Sequence, residues 1–206
     1  MKKTRILIAD DHAIVRMGLA ALFRAKGDLD VIGQARDGEQ AVAEAVRLRP
    51  DVVVMDLMMP KLDGADATRR LHEAMPSIPV LILTSFTTSD GIARALAAGA
   101  AGAVLKSAEN AELVAAIREV ANGRRYLSPE IKTLMNTDPP IDDLTERQSE
   151  VLHSLTRGLT NRDIARQFGL SVRSVEEHVN HILEKIGAAN RAEAVAIALR
   201  KHLVKA

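Results

Sequence analysis

Short apolar segments that end at acidic residues recur in the first half of the chain. Residues 6–9 are Ile-Leu-Ile-Ala and precede the pair Asp10 and Asp11, while residues 52–55 are Val-Val-Val-Met and precede Asp56. Segments this short and apolar throughout are typical of strands buried on both faces of a parallel sheet. The carboxyl ends of such strands lie at one edge, where ligands bind. The sequence therefore predicts an α/β sheet with clustered carboxylates at that edge.

Predicted strands alternate with predicted helices through residue 122. Strands are predicted at residues 5–9, 31–35, 52–55, 80–84 and 102–105, and amphipathic helices at 13–26, 39–48, 65–74, 92–98 and 111–121. Five such units match a flavodoxin-like doubly wound fold. Because aromatic residues make up 2% of the chain, the core must consist of aliphatic side chains and methionine. Residues 1–122 are thus predicted to form one α/β domain.

Two further strand ends carry residues that suit an anion. Thr84 ends the segment 82–84, and Lys106 follows the segment 103–105. A hydroxyl and an ammonium group neutralise phosphoryl oxygens, and three nearby carboxylates suit Mg²⁺. Asp56 could then act as a nucleophile that forms an aspartyl phosphate. A single strand-end Asp is more often a turn or helix cap, so the prediction depends on five such residues at consecutive strand ends.

The order of these residues, with Met-Met-Pro shortly after the central aspartate, resembles the receiver domain of bacterial response regulators. The resemblance implies that a histidine kinase transfers phosphate to Asp56. It implies that Asp11 and Asp56 bind Mg²⁺ directly. Asp10 would act largely through water, and the backbone carbonyl of Met58 would supply another ligand.

One position near this predicted site departs from the receiver pattern, and two others bear on the lifetime of the phosphoryl group. The family usually has an aromatic residue three positions before the strand-end lysine, and its rotation reports phosphorylation. Ala103 stands there, so an aromatic switch is not expected. The residues that flank the hydrolytic water in receivers are here Met58 and Phe86. Neither can hydrogen-bond to that water, and we therefore expect a long-lived phosphoryl group.

A phosphatase is an alternative, because haloacid-dehalogenase-type phosphatases also form an aspartyl phosphate on a parallel sheet. Their mechanism needs a second aspartate two residues after the nucleophile as the general acid and base. Met58 occupies that position and cannot transfer a proton. The residues therefore favour a phosphoacceptor over an enzyme acting on an external substrate.

A different pattern follows residue 122. Residues 123–141 contain three prolines and no sustained hydrophobic period, and we interpret them as a linker with a short helical turn near residues 128–134. Residues 142–206 are predicted to form an all-α domain. Its helices are predicted at residues 145–156, 160–168, 171–186 and 191–200, the first three opened by a capping Thr or Ser.

The second and third of these helices form a predicted helix-turn-helix joined at residues 169–171. A four-helix packing unit without a role in DNA binding would show the same spacing. Residues 144–200, however, closely resemble the LuxR-type DNA-binding domain, notably in Gly-Leu-Thr-Asn-Arg-Asp-Ile-Ala at 158–165. Together with the receiver, this resembles a NarL/FixJ-type response regulator. The resemblance implies that the helix after Ser171 enters the major groove and that the last helix forms a dimer.

Candidate DNA contacts lie on the helix after Ser171. They are Arg173, Ser174, Glu176, Glu177, Asn180 and Lys185. The family usually has a lysine at Glu176 and often a basic residue at Asn180, so this helix should bind phosphates weakly. A carboxylate at position 176 could accept a hydrogen bond from cytosine N4 or adenine N6. His178 and His181 could share a face as metal ligands, but no Cys or third ligand accompanies them.

Composition restricts the compartment but does not reveal the partners. The net charge is +1, and residues 142–206 carry 10 Lys and Arg against 9 Asp and Glu, so charge alone does not indicate DNA. The chain has no cysteine, which is consistent with a reducing compartment. No apolar segment approaches the roughly 18 residues of a membrane span, and the first residues lack a signal-peptide core.

These observations together predict a cytoplasmic transcriptional regulator. Its expected partners are a sensor histidine kinase, double-stranded DNA and a second copy of the chain, bound in a phosphorylation-dependent way, with no membrane contact. A protein-interaction module with weakened or lost DNA binding stays open, because Glu176 and Glu177 lie on the helix expected to face DNA.

Overall fold

The apolar segments of the first half form a parallel sheet, as predicted. The computed structural model describes residues 3–85, 89–141, 144–201 and 203, and divides into the units Met1–Asp138 and Pro139–Ala206. The strands of the first unit are β1 (Thr4–Ala9), β2 (Leu29–Ala35), β3 (Val52–Asp56), β4 (Val80–Thr84), β5 (Gly102–Leu105) and β6 (Tyr126–Leu127). Their order in the sheet is β2-β1-β3-β4-β5-β6. The first five strands confirm the doubly wound fold.

Helices cover both faces of this sheet. They are α1 (Ala13–Arg24), α2 (Gly38–Leu48), α3 (Gly64–Ala74), α4 (Ser89–Ala97), α5 (Asn110–Ala121) and α6 (Pro129–Thr137). Helices α2, α3, α4 and α6 pack on one face, which includes Leu7 and Ala9 of β1. Helices α1 and α5 pack on the other, which includes Ile6 and Ile8. Successive side chains of a strand point to opposite faces, so both faces of β1 are buried.

Residues 126–137 belong to the first unit and not to a linker, although the helical turn predicted near residues 128–134 is present as α6. β6 pairs in parallel with β5, and α6 begins after Ser128, whose side chain caps the helix. Ile131 is fully buried. A strand of two residues is too short to show a period in the sequence. The division between the units follows Asp138, while residues 142 and 143, where the second domain was predicted to begin, lie outside the described residues.

The second unit contains the four predicted helices. They are α7 (Glu146–Thr156), α8 (Asn161–Phe168), α9 (Val172–Ile186) and α10 (Arg191–Arg200). Capping boxes begin α7 and α8, and Gly169 and Gly187 end α8 and α9 in the left-handed conformation. Val175, Val179 and Ile182 of α9 are buried in the core of this unit. Within the described ranges, the structure contains no helix of the length and hydrophobicity that a membrane crossing requires.

Candidate functional site

Two carboxylates from neighbouring strands meet at Lys106. Asp10 directly follows β1 and Asp56 ends β3, and these strands pair side by side. The Nζ atom of Lys106 lies 2.6 Å from Oδ2 of Asp10 and 2.8 Å from Oδ2 of Asp56. The side chains of Asp10 and Asp56 are only 2% and 5% exposed. One ammonium group therefore bridges two buried carboxylates.

Thr84 lies beside this bridge at the end of β4. The backbone N–H of Lys106 donates a hydrogen bond of 2.8 Å to the carbonyl of Thr84. Thr84 is buried, and its strand pairs with β5, which ends one residue before Lys106. The predicted residues therefore lie at one edge of the sheet. They are at the ends of the adjacent strands β1, β3, β4 and β5.

The loop after β3 is held against the end of that strand. The backbone N–H of Met58 donates a hydrogen bond to the carboxylate of Asp56. At Gly64, the first residue of α3, a Cβ atom would lie 2.2 Å from the carbonyl oxygen of Asp56. A side chain there would displace the loop that carries Met58, so glycine allows this close approach. The Met58 residue is 41% exposed, whereas Phe86 lies outside the described residues.

His12 is a member of the cluster that the sequence reasoning missed. Ligand atoms of Asp10, Asp11, His12 and Asp56 all lie within 4.8 Å of one another. Nδ1 of His12 lies 2.6 Å from Oδ1 of Asp11, and the backbone N–H of His12 donates to Oδ1 of Asp10 at 2.8 Å. The position of His12 directly after the acidic pair was the available signal. The oxygen atoms of the three carboxylates form a donor set that suits Mg²⁺.

The charges of the cluster do not balance. Burial raises the pKa of Asp56, and the hydrogen bond from Lys106 opposes that rise. Burial acts to lower the pKa of Lys106, but its hydrogen bonds to Asp10 and Asp56 raise that pKa overall. The raised pKa of Asp56 thus comes from its burial, and the raised pKa of Lys106 comes from the two carboxylates that it faces. The site keeps a net negative charge that attracts a cation.

The helix-turn-helix presents a mixed surface on α9. Arg173, Glu176, Glu177 and Asn180 are all exposed. The Nε–H of Arg173 donates to Oε1 of Glu177 at 3.3 Å. Arg173 thus forms its ion pair with Glu177, four residues along the helix, and not with Glu176. Glu184, which was not among the predicted contacts, is also exposed on α9.

The two remaining candidate DNA contacts are less accessible. The backbone N–H of Ser174 donates to Oγ of Ser171 at 3.0 Å, and the two hydroxyl oxygens are 2.8 Å apart. Ser174 therefore takes part in the cap that begins α9. Lys185 is half-buried in the last turn of that helix. Four of the six predicted DNA contacts are therefore exposed on α9, whereas Ser174 and Lys185 are partly buried.

Family comparisons agree with both units. The family model of the response regulator receiver domain matches residues 6–118, and the family model of the bacterial regulatory proteins of the luxR family matches residues 142–198. The chain is a LuxR-type response regulator. Its receiver domain contains the Asp10, Asp56, Thr84 and Lys106 cluster, and its LuxR-type domain contains the helix-turn-helix.

Full-length relatives share this architecture. The response regulator is 36% identical to the transcriptional regulatory protein LiaR of Bacillus subtilis, with 97% of this chain and 99% of LiaR covered. It is 32% identical to the response regulator protein VraR of Staphylococcus aureus, with coverage of 98% and 99%. The crystal structure of ChrA, a response regulator in a heme-sensing two-component system, is 36% identical with a TM-score of 0.60, covering 99% of this chain and 100% of ChrA. RcsB dimers bound to DNA share the fold at 23% identity and a TM-score of 0.69, with coverage of 97% and 99%.

The charge imbalance predicts that Asp56→Asn stabilises the receiver at neutral pH. An acid with a raised pKa favours folding fully below its unfolded pKa, near 3.8, and this contribution is lost as the pH rises through its folded pKa. Ionised Asp56 therefore lowers the free energy of unfolding at pH 7. Thermal unfolding in a chelator should give the variant a melting temperature several degrees higher at pH 7, with the difference shrinking toward pH 4.

Asp30→Asn serves as the control, because Asp30 is exposed on β2. It should leave the melting temperature almost unchanged at both pH values. An Asp56→Asn protein that is no more stable than the unmodified chain at pH 7 would show that Lys106 fully compensates both carboxylates.

Proposed function

We propose that this response regulator accepts a phosphoryl group on Asp56 from a sensor histidine kinase and thereby controls transcription as a DNA-bound dimer. The observation that carries the proposal is the buried Asp56 carboxylate, which Lys106 bridges to Asp10 at the ligand-binding edge of the sheet. The same chain continues into a LuxR-type DNA-binding domain. A phosphoacceptor and a DNA-binding domain in one chain form a signal input and a transcriptional output.

The proposed transfer uses Asp56 as the nucleophile. One carboxylate oxygen attacks the phosphorus of a phosphohistidine, the new O–P bond forms as the P–N bond breaks, and the leaving imidazole takes a proton from water. The N–H of Met58 and the ammonium of Lys106 hold the carboxylate in place before the attack. Lys106 then pairs with a phosphoryl oxygen, and the Thr84 hydroxyl donates to another.

The acidic cluster is proposed to hold Mg²⁺. Asp11 and Asp56 would bind the ion directly, Asp10 largely through water, and the Met58 carbonyl would be a further ligand. The fit rests on the oxygen donors and on the negative charge that Lys106 leaves uncompensated. When bound, the ion would neutralise charge on the phosphoryl oxygens. We also propose that the phosphoryl group is long-lived, because Met58 offers no polar side chain to orient a hydrolytic water.

The DNA-binding proposal places α9 in the major groove. Its proposed contacts are Arg173, Ser174, Glu176, Glu177, Asn180 and Lys185, and α10 would form the phosphorylation-dependent dimer. A regulator with this role must reach the chromosome, so we propose the cytoplasm as its compartment.

A protein-interaction module with weakened DNA binding is the second candidate. The exposed surface of α9 favours this candidate, because it carries three carboxylates and one guanidinium group. The carboxylates belong to Glu176, Glu177 and Glu184, and the guanidinium group belongs to Arg173. Carboxylates repel DNA phosphates, so this helix should contribute little general affinity.

Selection of bound genomic fragments by the full chain separates these two candidates. With Mg²⁺ and beryllofluoride as the phosphoryl mimic, we expect one common sequence motif and an affinity on the order of tenfold higher than without the mimic. Asp56→Asn should bind the motif weakly and show no response to beryllofluoride. Absence of an enriched motif in either state would contradict the DNA-binding proposal and favour the interaction module.

A further inference from the structure

Helix α6 packs on an apolar surface of the receiver that includes Ala103 of β5 and Ile92 of α4. This surface is called the seat of α6 below. Ile131 is completely buried and belongs to the same core as Ala103 of β5 and Ile92 of α4. Leu134 and Met135, which follow Ile131 on α6, are half-buried against that core. The helix is therefore packed on the β5 and α4 face as part of the receiver core.

Backbone contacts fix where α6 begins. The N–H of Ser128 donates to the carbonyl of Ala103 at 3.1 Å, and Oγ of Ser128 accepts from the N–H of Ile131 at 3.3 Å. At Gly102, a Cβ atom would lie 2.2 Å from the carbonyl oxygen of Tyr126, so glycine lets β6 approach β5 closely. The start of α6 is thus tied directly to the backbone of β5.

The small side chain of Ala103 shapes the seat. Ala103 stands where receivers usually have an aromatic residue, and it is completely buried in the core that contains Ile131. A ring at this position would need volume that the present core fills, because protein interiors have almost no free space. An aromatic side chain at position 103 is therefore incompatible with α6 in its present position.

The same strand leads to the acidic cluster. Lys106 follows Ala103 by three residues, and its ammonium group bridges Asp10 and Asp56. Its backbone N–H is hydrogen-bonded to Thr84. A phosphoryl group on Asp56 would draw the ammonium of Lys106 toward new oxygens, and the end of β5 would have to adjust.

The other end of α6 leads directly to the second unit. The helix ends at Thr137, and Asp138 separates it from Pro139, the first residue of that unit. The carbonyl of Pro139 accepts a hydrogen bond of 3.1 Å from Nζ of Lys201 within the second unit. Release of α6 would make residues 128–138 a longer connection between the units.

From these contacts, we infer that α6 is the output element of this receiver. It is seated on Ala103 before phosphorylation and leaves that seat when Asp56 is phosphorylated. The movement of a helix thereby replaces the rotation of an aromatic side chain. This inference rests on the proposed phosphorylation of Asp56.

The absence of cysteine from the chain allows a direct test by thiol labelling. In full-length Ile131→Cys, a maleimide should react on the order of tenfold or more slowly than in Lys132→Cys, whose site is exposed on the same helix. After phosphorylation by acetyl phosphate with Mg²⁺, the Ile131→Cys rate should approach the Lys132→Cys rate. Leu134→Cys should respond in the same direction while keeping Ile131 in place.

Intact-mass analysis of the same sample separates the possible failures. A phosphorylated protein whose Ile131→Cys and Leu134→Cys thiols stay slow would overturn the role of α6. A protein that gains no phosphoryl mass would contradict the proposed function, and the inference would fall with it.

A second variant tests the seat without phosphorylation. Ala103→Phe combined with Leu134→Cys should label rapidly in the unmodified protein, because the buried core shared by Ala103 and Ile131 has no room for a ring. Ile131→Val combined with Leu134→Cys keeps an apolar side chain in the seat and should remain slow. Slow labelling of a folded Ala103→Phe protein would contradict the inference.

Discussion

Asp56→Asn is expected to abolish phosphorylation by a small phosphodonor. The amide keeps the shape of the side chain but lacks the nucleophilic oxygen, so the rate should fall by at least about a thousandfold. Intact-mass spectrometry after incubation with acetyl phosphate and Mg²⁺ measures the gain of one phosphoryl group. Removal of Mg²⁺ by a chelator should have a similarly large effect on the unmodified chain.

The control for this prediction is an aspartate away from the cluster. Asp30→Asn removes a carboxylate from exposed β2 and should be phosphorylated at the rate of the unmodified chain. Asp10 lies next to Asp56, contacts the same Lys106 ammonium group and is therefore the strongest competing acceptor. Equal phosphoryl incorporation by Asp56→Asn would show that another residue is the acceptor.

Glu176→Lys is expected to strengthen DNA binding to many sequences. The substitution replaces a repelling carboxylate on the exposed surface of α9 by a cation. We expect affinity at low salt to rise on the order of tenfold and the salt dependence to steepen by up to about one phosphate contact. If Glu176 reads a base, the preference at that base pair should also relax by about 1–3 kcal/mol.

The ion pair on α9 makes this result informative. Arg173 pairs with Glu177, which is one turn along the helix, and not with Glu176. Neutralisation of Glu176 by Arg173 therefore could not explain a Glu176→Lys variant whose DNA binding is unchanged. Glu146→Lys makes the same charge change at an exposed position of α7 and should have a much smaller effect. If both variants bind with unchanged affinity and salt dependence, Glu176 does not face DNA. In that case α9 must recognise DNA through other residues or through the shape of the DNA.

The sequence was sufficient to predict the first five strands of the sheet and the strand-end cluster. Buried parallel strands are apolar throughout, so their ends are visible wherever a charged residue follows, as at Asp10, Asp56 and Lys106. The helix-turn-helix was equally clear. Its capping residues Thr145 and Thr160 act on backbone groups only three residues away, so local order along the chain determines them.

Contacts between distant parts of the chain were decided only by the tertiary structure. Neither β6 nor the seat of α6 has a period in the sequence, because a two-residue strand and a helix buried mainly through Ile131 depend on the shape of β5 and on the small Ala103. The bridge from Lys106 to Asp10 and Asp56 joins residues far apart in the chain, and it leaves the cluster with a net negative charge that attracts a cation. Such arrangements follow from the packing of whole elements, which residue type and spacing do not specify.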